Sequence, residues 1–363
     1  MATRARVDKT FLSITVLLAG AGFLIFSSAS LALLAKESSN YSSIAFSQTV
    51  LGLLAGSVAL VIASRLDYKI WKKFAFYLLL FAIILNIAVL IPGVGFAHAG
   101  ARRWLEVGGF SFQPSEVLKL GFIIYFAAWC SAVKDKIKTF SWGLMPFIIM
   151  LSIAGVLLLK QPDYDTLLVL AVTGIAMFVA AGARWKDILL LAIVGTIAIS
   201  FKIYATPYAM QRIKTFFHPM ENTLGAGWQS QQSLIAVGSG GLFGRGFGQS
   251  VQKFTYLPEP VGDSVFAVAA EELGFIGAVI LVGLFVLFAT RGLKIASGAA
   301  NPFARLVVVG IVIMIISQAF VNIGAMLGVV PLSGITLPFV SQGGTSLFFT
   351  LLEAGIVLSI SRF

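Results

Sequence analysis

The chain has 363 residues, of which 58% are hydrophobic and only 11% are charged, and its mean hydropathy is +0.96. A water-soluble core cannot absorb so much apolar side chain, so the composition excludes a soluble globular enzyme and predicts an all-α polytopic membrane protein. The net charge is +11, but the lysines and arginines stand in short clusters between apolar runs. That distribution indicates membrane topology and contact with anionic headgroups, and it argues against a nucleic-acid partner.

The apolar runs predict about ten transmembrane helices. They cover residues 10–34, 44–63, 74–92, 115–131, 142–159, 166–182, 188–204, 264–290, 303–328 and 346–361. Basic clusters fall in alternate loops, so the positive-inside rule places both termini in the cytoplasm. We expect one integral membrane domain over residues 1–363, with a large extracytoplasmic loop at about 205–263 between the seventh and eighth spans.

The most unusual part of this large loop is rich in glycine. Glycines stand at positions 238, 240, 241, 244, 246 and 248, a density that excludes a helix interior. Two prolines follow, then Asp263 and the apolar run from Val265. The pattern predicts a basic glycine-rich loop, with Arg245 and Lys253, that delivers one carboxylate to the mouth of a membrane helix. A plain re-entrant loop with a helix cap at Asp263 is the alternative.

Two other outer segments suit contact with a lipid headgroup. Arg102 and Arg103 lie in an outer loop against the charge bias, and a guanidinium pair suits phosphate. Trp104 beside them either stacks on a sugar or belongs to the aromatic belt at the membrane interface. In the large loop, residues 212–217 form an amphipathic piece that is predicted to lie along the membrane surface.

Charged side chains inside the predicted spans are expensive and should face a cavity or a partner. The acids concerned are Glu116, Glu271, Glu272 and Glu353. Glu116 and Lys119 are three residues apart on one helix and are expected to pair, either as a structural ion pair or as a substrate contact. Glu272 lies roughly 13 Å along a helix from Asp263 at 1.5 Å per residue, too far for a carboxylate dyad. Asp263 is therefore expected to act alone.

Metal and redox chemistry have little support in the sequence. Cys130 is the single cysteine, and His98 and His218 show no spacing typical of zinc sites. No cofactor is predicted with certainty. The acids on the outer side could hold a hydrated Mg²⁺ or Mn²⁺ ion, but no ligand spacing specifies such a site.

Six ordered motifs resemble the SEDS family of shape, elongation, division and sporulation proteins, and the resemblance covers nearly the whole chain. They are GARRW (100–104), FQPSE (112–116), KQPD (160–163), QSLIAVGSGGLFGRGFGQSVQK (232–253), LPEPVGDSVFAVAAEELG (257–274) and NIGAMLGVVPLSGITLPFVSQGGTS (322–346). The wording of the fourth and sixth motifs is more similar to the division branch, FtsW, than to the elongation branch, RodA.

The resemblance implies a peptidoglycan glycosyltransferase that polymerises lipid II at the outer face of the bacterial cytoplasmic membrane. It also implies a class B penicillin-binding protein and other division proteins as partners, and a location at the division septum. The family's catalytic aspartate follows a Leu-Pro-Glu motif, and the matching position is Asp263. The family often has Ala-His-Thr before that aspartate, where this chain has Pro260-Val261-Gly262.

With Asp263 as general base, the remaining site residues are expected to bind substrate. The candidate phosphate contacts are Arg102, Arg103, Lys119, Arg245 and Lys253, and the other candidates are Trp104, Glu116, Ser341, Gly343 and Gly344. A lipid II flippase, an elongation polymerase of the RodA type and a non-enzymatic scaffold are the alternatives. The buried acids are compatible with the flippase alternative, because transport needs charged sites within the bilayer.

Overall fold

A computed structural model describes residues 7–35, 41–98, 101–107, 110–205, 207–218 and 226–362. The fold is helical, as predicted, and every apolar run expected to span the membrane is helical over most of its length. The α-helices are α1 (Lys9–Ala35), α2 (Tyr41–Phe46), α3 (Gly56–Arg65), α4 (Lys69–Lys73), α5 (Ala75–Leu90), α6 (Pro114–Val133), α7 (Met145–Lys160), α8 (Tyr164–Ala180), α9 (Trp185–Ala205), α10 (Pro207–Phe217), α11 (Ala226–Ser239), α12 (Gln252–Thr255), α13 (Val265–Ser297), α14 (Pro302–Met326) and α15 (Gly344–Ile360). Two π-helices, Ser47–Ala55 and Phe140–Leu144, and a 3-10 helix, Lys134–Lys138, connect some of them.

Within the part of the chain that the structure describes, six helical segments are long and apolar enough to cross a membrane. They are Lys9–Ala35, Tyr41–Arg65, Pro114–Lys138, Phe140–Lys160, Val265–Ser297 and Pro302–Met326. Helices α5, α8 and α15 are apolar but shorter. The class of polytopic membrane protein is therefore confirmed, and the count of ten spans stays a prediction.

The outer segment between α5 and α6 forms a small antiparallel sheet, which the sequence analysis did not predict. Its strands are β1 (Gly95–His98), β2 (Ala101–Val107) and β3 (Phe110–Phe112), in the order β1-β2-β3. The sequence has Gly108-Gly109 between β2 and β3, and a Gly-Gly dipeptide between two strand-like runs is a pattern typical of hairpins. The sheet places Arg102 and Arg103 on a strand.

Helices α1 and α13 pack antiparallel and are tied together near both ends. At one end Arg291 lies 2.7 Å from Asp8, and at the other the Ser28 hydroxyl donates a 2.5 Å hydrogen bond to Glu272. Helix α14 contacts α6, α8, α13 and α15 and so lies at the centre of the bundle. The largest fully buried side chains lie mainly on α1, α6, α7, α8, α13 and α14.

The large loop at 205–263 contains three helices, α10, α11 and α12. The amphipathic piece predicted at 212–217 is the second half of α10, and its position on the membrane surface stays a prediction. The glycine-rich segment, residues 238–248, begins in the last turn of helix α11, which ends at Ser239. This segment packs along the first part of α13, as its hydrogen bonds to Glu271 and Glu272 establish.

Candidate active site

Asp263 lies in a tight loop immediately before α13. Within the loop, the amides of Gly262 and Ser264 both donate to the carbonyl oxygen of Glu259. Asn322 on α14 donates a 2.7 Å hydrogen bond to the main-chain oxygen of Asp263. Ser341 donates over 2.7 Å to the main-chain oxygen of Gly262. Contacts from two distant segments therefore fix the backbone that carries the carboxylate.

The Asp263 side chain accepts a 3.2 Å hydrogen bond from Gln229 of α11. Burial raises the pKa of Asp263 to about 6; the Gln229 hydrogen bond opposes this shift and the negative charge of Glu259 adds to it. A carboxyl group with this pKa is ionised at pH 7 yet more basic than an ordinary aspartate, which suits a general base.

Asp263 is not the residue that caps α13. Ser264 occupies that position, and no side chain makes a capping hydrogen bond there. The alternative of a helix cap at Asp263 is therefore wrong, because the loop turns so that the carboxylate faces Gln229 instead.

Arg212 supplies positive charge close to Asp263. Its guanidinium lies 3.6 Å from Asp165 at the start of α8, and it acts electrostatically on Asp263. Arg212 and Thr215 line a cavity of about 80 Å³ between α10, α11 and the segment after α14. The remaining lining residues are Phe216, Ser230, Leu234, Gly328, Val330 and Leu332.

The two arginines of β2 have different surroundings. Arg103 donates a 3.1 Å hydrogen bond to the main-chain oxygen of Gln161 and lies 3.9 Å from Asp163. Burial raises the pKa of Asp163, and the charge of Arg103 opposes that shift. Arg102 is exposed and Trp104 is half-buried. Arg103 therefore joins the sheet to the turn between α7 and α8, while Arg102 faces outward.

Glu116 and Lys119 form the predicted ion pair, with 2.9 Å between Lys119 Nζ and Glu116 Oε2. Both side chains are buried, and Lys119 also donates a 3.2 Å hydrogen bond to Gln318 of α14. Glu353 on α15 is buried nearby and acts electrostatically with both. The pairing is confirmed, and a substrate contact by either residue stays a prediction.

The glycine-rich segment does not deliver Asp263, contrary to the sequence-based expectation. It contacts Glu271 and Glu272, about two turns further along α13. Lys253 is fully buried and lies 2.6 Å from Glu272, and Arg245 lies 3.4 Å from Glu271. The glycines allow the segment to approach the α13 backbone, which accounts for their density better than a loop around a substrate does.

Ser341, Gly343 and Gly344 hold the segment between α14 and α15 in place. The Ser341 hydroxyl also accepts a 2.7 Å hydrogen bond from the amide of Leu337. The amide of Gly343 donates over 2.9 Å to Gln48. A Cβ atom on Gly344 would lie 2.4 Å from the main-chain oxygen of Ser47, so Gly344 permits close packing. Their contact with substrate stays a prediction.

Within the described ranges, no group of three or more His, Cys, Asp and Glu side chains is placed to hold a metal ion. Gln229, Asn322 and Arg212 lie around Asp263, and the sequence analysis did not assign them to the site. Asp165, which lies beside Arg212, was not assigned either. Gln229 is one of several glutamines and serines at the start of α11, a polar run at the beginning of an otherwise apolar stretch. That polar run is the sequence feature that indicates a functional position for Gln229.

Together these features define a polytopic membrane protein. Its candidate active site is a single aspartate with a raised pKa, directly before a membrane helix. A family model described as cell cycle protein, FtsW/RodA/SpoVE, matches residues 9–363. The chain belongs to this family, and the predicted SEDS membership is therefore confirmed.

Two curated relatives illustrate the similarity. Stage V sporulation protein E of Bacillus subtilis is 42% identical over 308 residues, which cover 85% of this chain and 84% of the relative. A probable peptidoglycan glycosyltransferase FtsW of Trichlorobacter lovleyi is 38% identical over 357 residues, 98% of this chain and 93% of the relative.

Solved structures share the fold. A chain from a structure described as showing structural coordination of polymerization and crosslinking by a peptidoglycan synthase complex is 26% identical, with a TM-score of 0.81 and 98% of each chain covered. The rod shape determining protein RodA of Thermus thermophilus is 27% identical, with a TM-score of 0.72; the match covers 98% of this chain and 97% of RodA.

Proposed function

We propose that this protein is a peptidoglycan glycosyltransferase that polymerises lipid II at the outer face of the bacterial cytoplasmic membrane, with Asp263 as general base. The observation that carries the proposal is the setting of Asp263. Its half-buried carboxylate has a pKa of about 6 and accepts a hydrogen bond from Gln229, and its main-chain oxygen accepts one from Asn322. The relative from Trichlorobacter lovleyi, named as a probable peptidoglycan glycosyltransferase, supports the choice of reaction.

The reaction requires a hydroxyl group of one lipid II molecule to attack the anomeric carbon of another. The new C–O bond forms as the bond from that carbon to the pyrophosphate oxygen breaks. Asp263 takes the hydroxyl proton, and the lipid pyrophosphate leaves with the bonding electron pair. Attack on the face opposite the leaving group inverts the anomeric centre, so a single base suffices and no sugar–enzyme bond forms.

The departing pyrophosphate needs positive charge, and two arginines on the outer side are suited to supply it. Arg102 is exposed on β2, and Arg212 lies near enough to Asp263 to act on it electrostatically. Lys253 is not suited to this role, because its ammonium group is buried against Glu272. A bound divalent cation would supply the same stabilisation of charge.

The glycosyltransferase function leads to proposals about the protein's partner and its location in the cell. A polymerase of glycan strands needs a transpeptidase beside it, and we assign a class B penicillin-binding protein together with other division proteins. The neighbour described as a peptidoglycan synthase complex that coordinates polymerization and crosslinking supports this assignment. We place both termini in the cytoplasm from the positive-inside rule. We place the protein at the division septum, for which the family description as a cell cycle protein is the support.

The test is lipid II polymerisation by the purified protein with its cognate transpeptidase. Wild type and Glu106→Gln, which changes an exposed carboxylate on β2, should both make glycan strands, and folded Asp263→Asn should make none. Strands from Asp263→Asn at the wild-type rate would remove Asp263 as the base. An intact wild-type complex that makes no strands would favour the lipid II flippase.

A further inference from the structure

Helix α13 is broken at Gly274, whose φ of 69° and ψ of −171° are not helical. The glycine-rich segment satisfies the backbone groups at the break. The amides of Arg245 and Gly246 donate over 3.0 Å to the carbonyl oxygens of Glu271 and Glu272. In the other direction, the amides of the two residues after Gly274 donate to the carbonyl oxygens of residues 241 and 242, over 2.8 and 3.2 Å. The segment therefore acts as a splint across the break.

The splint requires glycine because the two backbones are in direct contact. A Cβ atom on Gly240 would lie 2.2 Å from the main-chain oxygen of Ala270, and one on Gly244 would lie 2.1 Å from that of Glu272. A Cβ atom on Gly274 would lie 2.2 Å from the amide nitrogen of Gly244. No side chain larger than hydrogen fits at these positions without moving the splint.

Two buried acids of α13 bind the splint through Arg245 and bind the residues that follow it, 250–253. Glu271 accepts hydrogen bonds from the Ser250 hydroxyl over 2.5 Å and from the Val251 amide over 3.1 Å, and Arg245 lies beside it. Glu272 receives Lys253 Nζ over 2.6 Å. Both carboxylates lie within a membrane helix, so their charges depend on these partners.

Lys253 has no donor left for a substrate. An ammonium group has three N–H donors. Lys253 Nζ directs hydrogen bonds to Glu272 Oε1 over 2.6 Å, to the Ser28 hydroxyl over 3.0 Å and to the Ser28 carbonyl oxygen over 3.1 Å. Its side chain is also fully buried. The three contacts join α12, which follows the splint, to α13 and α1 at one point.

Asp263 is connected to this point along two parallel routes. The part of α13 between Asp263 and the break is one short helix, with the carboxylate at one end and Glu272 near the other. Helix α11 begins near Gln229, which donates to Asp263, and ends at the splint. A shift at the break would therefore move both the carboxylate and its hydrogen-bond donor.

We propose, on the basis of the glycosyltransferase function proposed above, that Lys253, Glu271 and Glu272 are positioning residues that hold Asp263 in its reactive place. Lys253 does not bind the pyrophosphate of lipid II. Lys253 and Glu272 neutralise each other's charge in a buried ion pair. The reaction depends on this pair because it holds the broken helix in the geometry that places Asp263.

The test compares Lys253→Met with the double variant Lys253→Met/Glu272→Gln in the complex with the transpeptidase. Lys253→Met leaves a buried carboxylate unpaired, and we expect kcat to fall about 10- to 100-fold, as for a misplaced catalytic group, with KM for lipid II within about twofold. The double variant removes the unpaired charge and should recover most of kcat. Lys138→Met, at an exposed lysine, is the matched control and should match wild type.

A phosphate contact would give a different result. Lys253→Met would then raise KM, and Glu272→Gln would not restore it; that pattern, or wild-type kinetics for Lys253→Met, overturns the proposal. Hydrogen exchange of the 257–264 backbone gives a readout that needs no catalysis. We expect faster exchange in Lys253→Met and recovery in the double variant, and unchanged exchange also overturns the proposal.

The two proposals fail separately. An inactive wild-type complex would reject the glycosyltransferase function, and the exchange experiment would then decide the positioning role alone. If Lys253→Met does not fold, Ser28→Ala replaces it, because this change removes a hydroxyl contact to Lys253 and leaves both charges paired. A smaller loss of kcat at constant KM supports the proposal, and unchanged kcat opposes it.

Discussion

Asn322 Nδ2 donates one hydrogen bond to the main-chain oxygen of Asp263 and another to that of Ile335, each over 2.7 Å. The first bond joins residues 59 positions apart in the chain. One amide on α14 therefore holds the loop that carries the carboxylate and the segment that leads to Ser341, which itself bonds to Gly262. The position of the candidate base depends on this junction.

Asn322→Leu should lower both stability and kcat. It leaves two carbonyl oxygens without their donor, and each buried unsatisfied group costs about 1–3 kcal/mol. Thermal unfolding and polymerisation kinetics measure the two effects. Asn301→Ala is the control, since it removes a hydrogen bond that caps the other end of α14. Asn301→Ala should lower the free energy of unfolding by about 1 kcal/mol and leave kcat unchanged. An equal loss of kcat in both variants would contradict a specific role of Asn322 in positioning Asp263.

Polymerisation should depend on the ionisation of Asp263. Burial raises the pKa of this residue to about 6, so the base form is lost as the pH falls through that value. We expect kcat/KM for lipid II to decrease about tenfold for each pH unit below about 6. A profile that is flat between pH 5 and pH 7, recorded while the complex stays folded, would contradict this assignment.

The same carboxyl group should destabilise the protein at neutral pH. Because its folded-state pKa is above the ordinary value of 3.8, its favourable contribution is complete below pH 4 and is lost as the pH rises to about 6. A shift of about two units corresponds to about 3 kcal/mol. Asp263→Asn should therefore unfold at a higher temperature than wild type at pH 7.5, and at a similar temperature at pH 4.

The Lys119–Glu116 pair is suited to a double-mutant cycle. Lys119→Met leaves Glu116 and Glu353 buried without their cation, and breaking a buried pair costs about 3–5 kcal/mol. Adding Glu116→Gln to that variant should cost little more, so the two changes should not be additive in thermal unfolding. Additive effects would show that the two side chains act independently.

Two glycines of the broken helix region should respond very differently to alanine. Gly244→Ala should destabilise strongly or prevent folding, because its Cβ atom would lie 2.1 Å from the Glu272 carbonyl oxygen and its φ is +80°. Gly283 lies on α13, and a Cβ atom there would meet nothing within 4 Å, so Gly283→Ala should stabilise by about 0.5–1 kcal/mol through helix propensity. Equal melting temperatures for the two variants would contradict the splint.

Substitutions at the two neighbouring arginines of β2 should affect different properties, substrate binding for Arg102 and stability for Arg103. Arg102→Ala should raise KM for lipid II and leave thermal stability unchanged, because Arg102 is exposed. Arg103→Ala should lower stability by about 1–3 kcal/mol, since it removes charge-assisted hydrogen bonds to the turn at Gln161 and leaves Asp163 buried. A KM effect confined to Arg103→Ala would reverse these roles.

The sequence alone determined the features that depend on local composition and spacing. Apolar runs specify helices in a membrane whatever surrounds them, because the backbone can satisfy its hydrogen bonds only within the segment. The Glu116–Lys119 pair followed from helical spacing. The position of Asp263 just before a membrane helix followed from the apolar run that begins at Val265. The ordered motifs were sufficient to identify the family.

The tertiary structure decided which residues meet. Gln229, Asn322 and Ser341 reach the Asp263 loop from three separate elements, and no local pattern encodes contacts over such separations in the chain. The glycine-rich segment illustrates the same limit. Its glycines excluded a helix interior, but only the packing against Gly274 showed that the segment pairs with a broken helix. Hydrogen-bond groups left free by one segment are satisfied by whichever segment the fold places beside it.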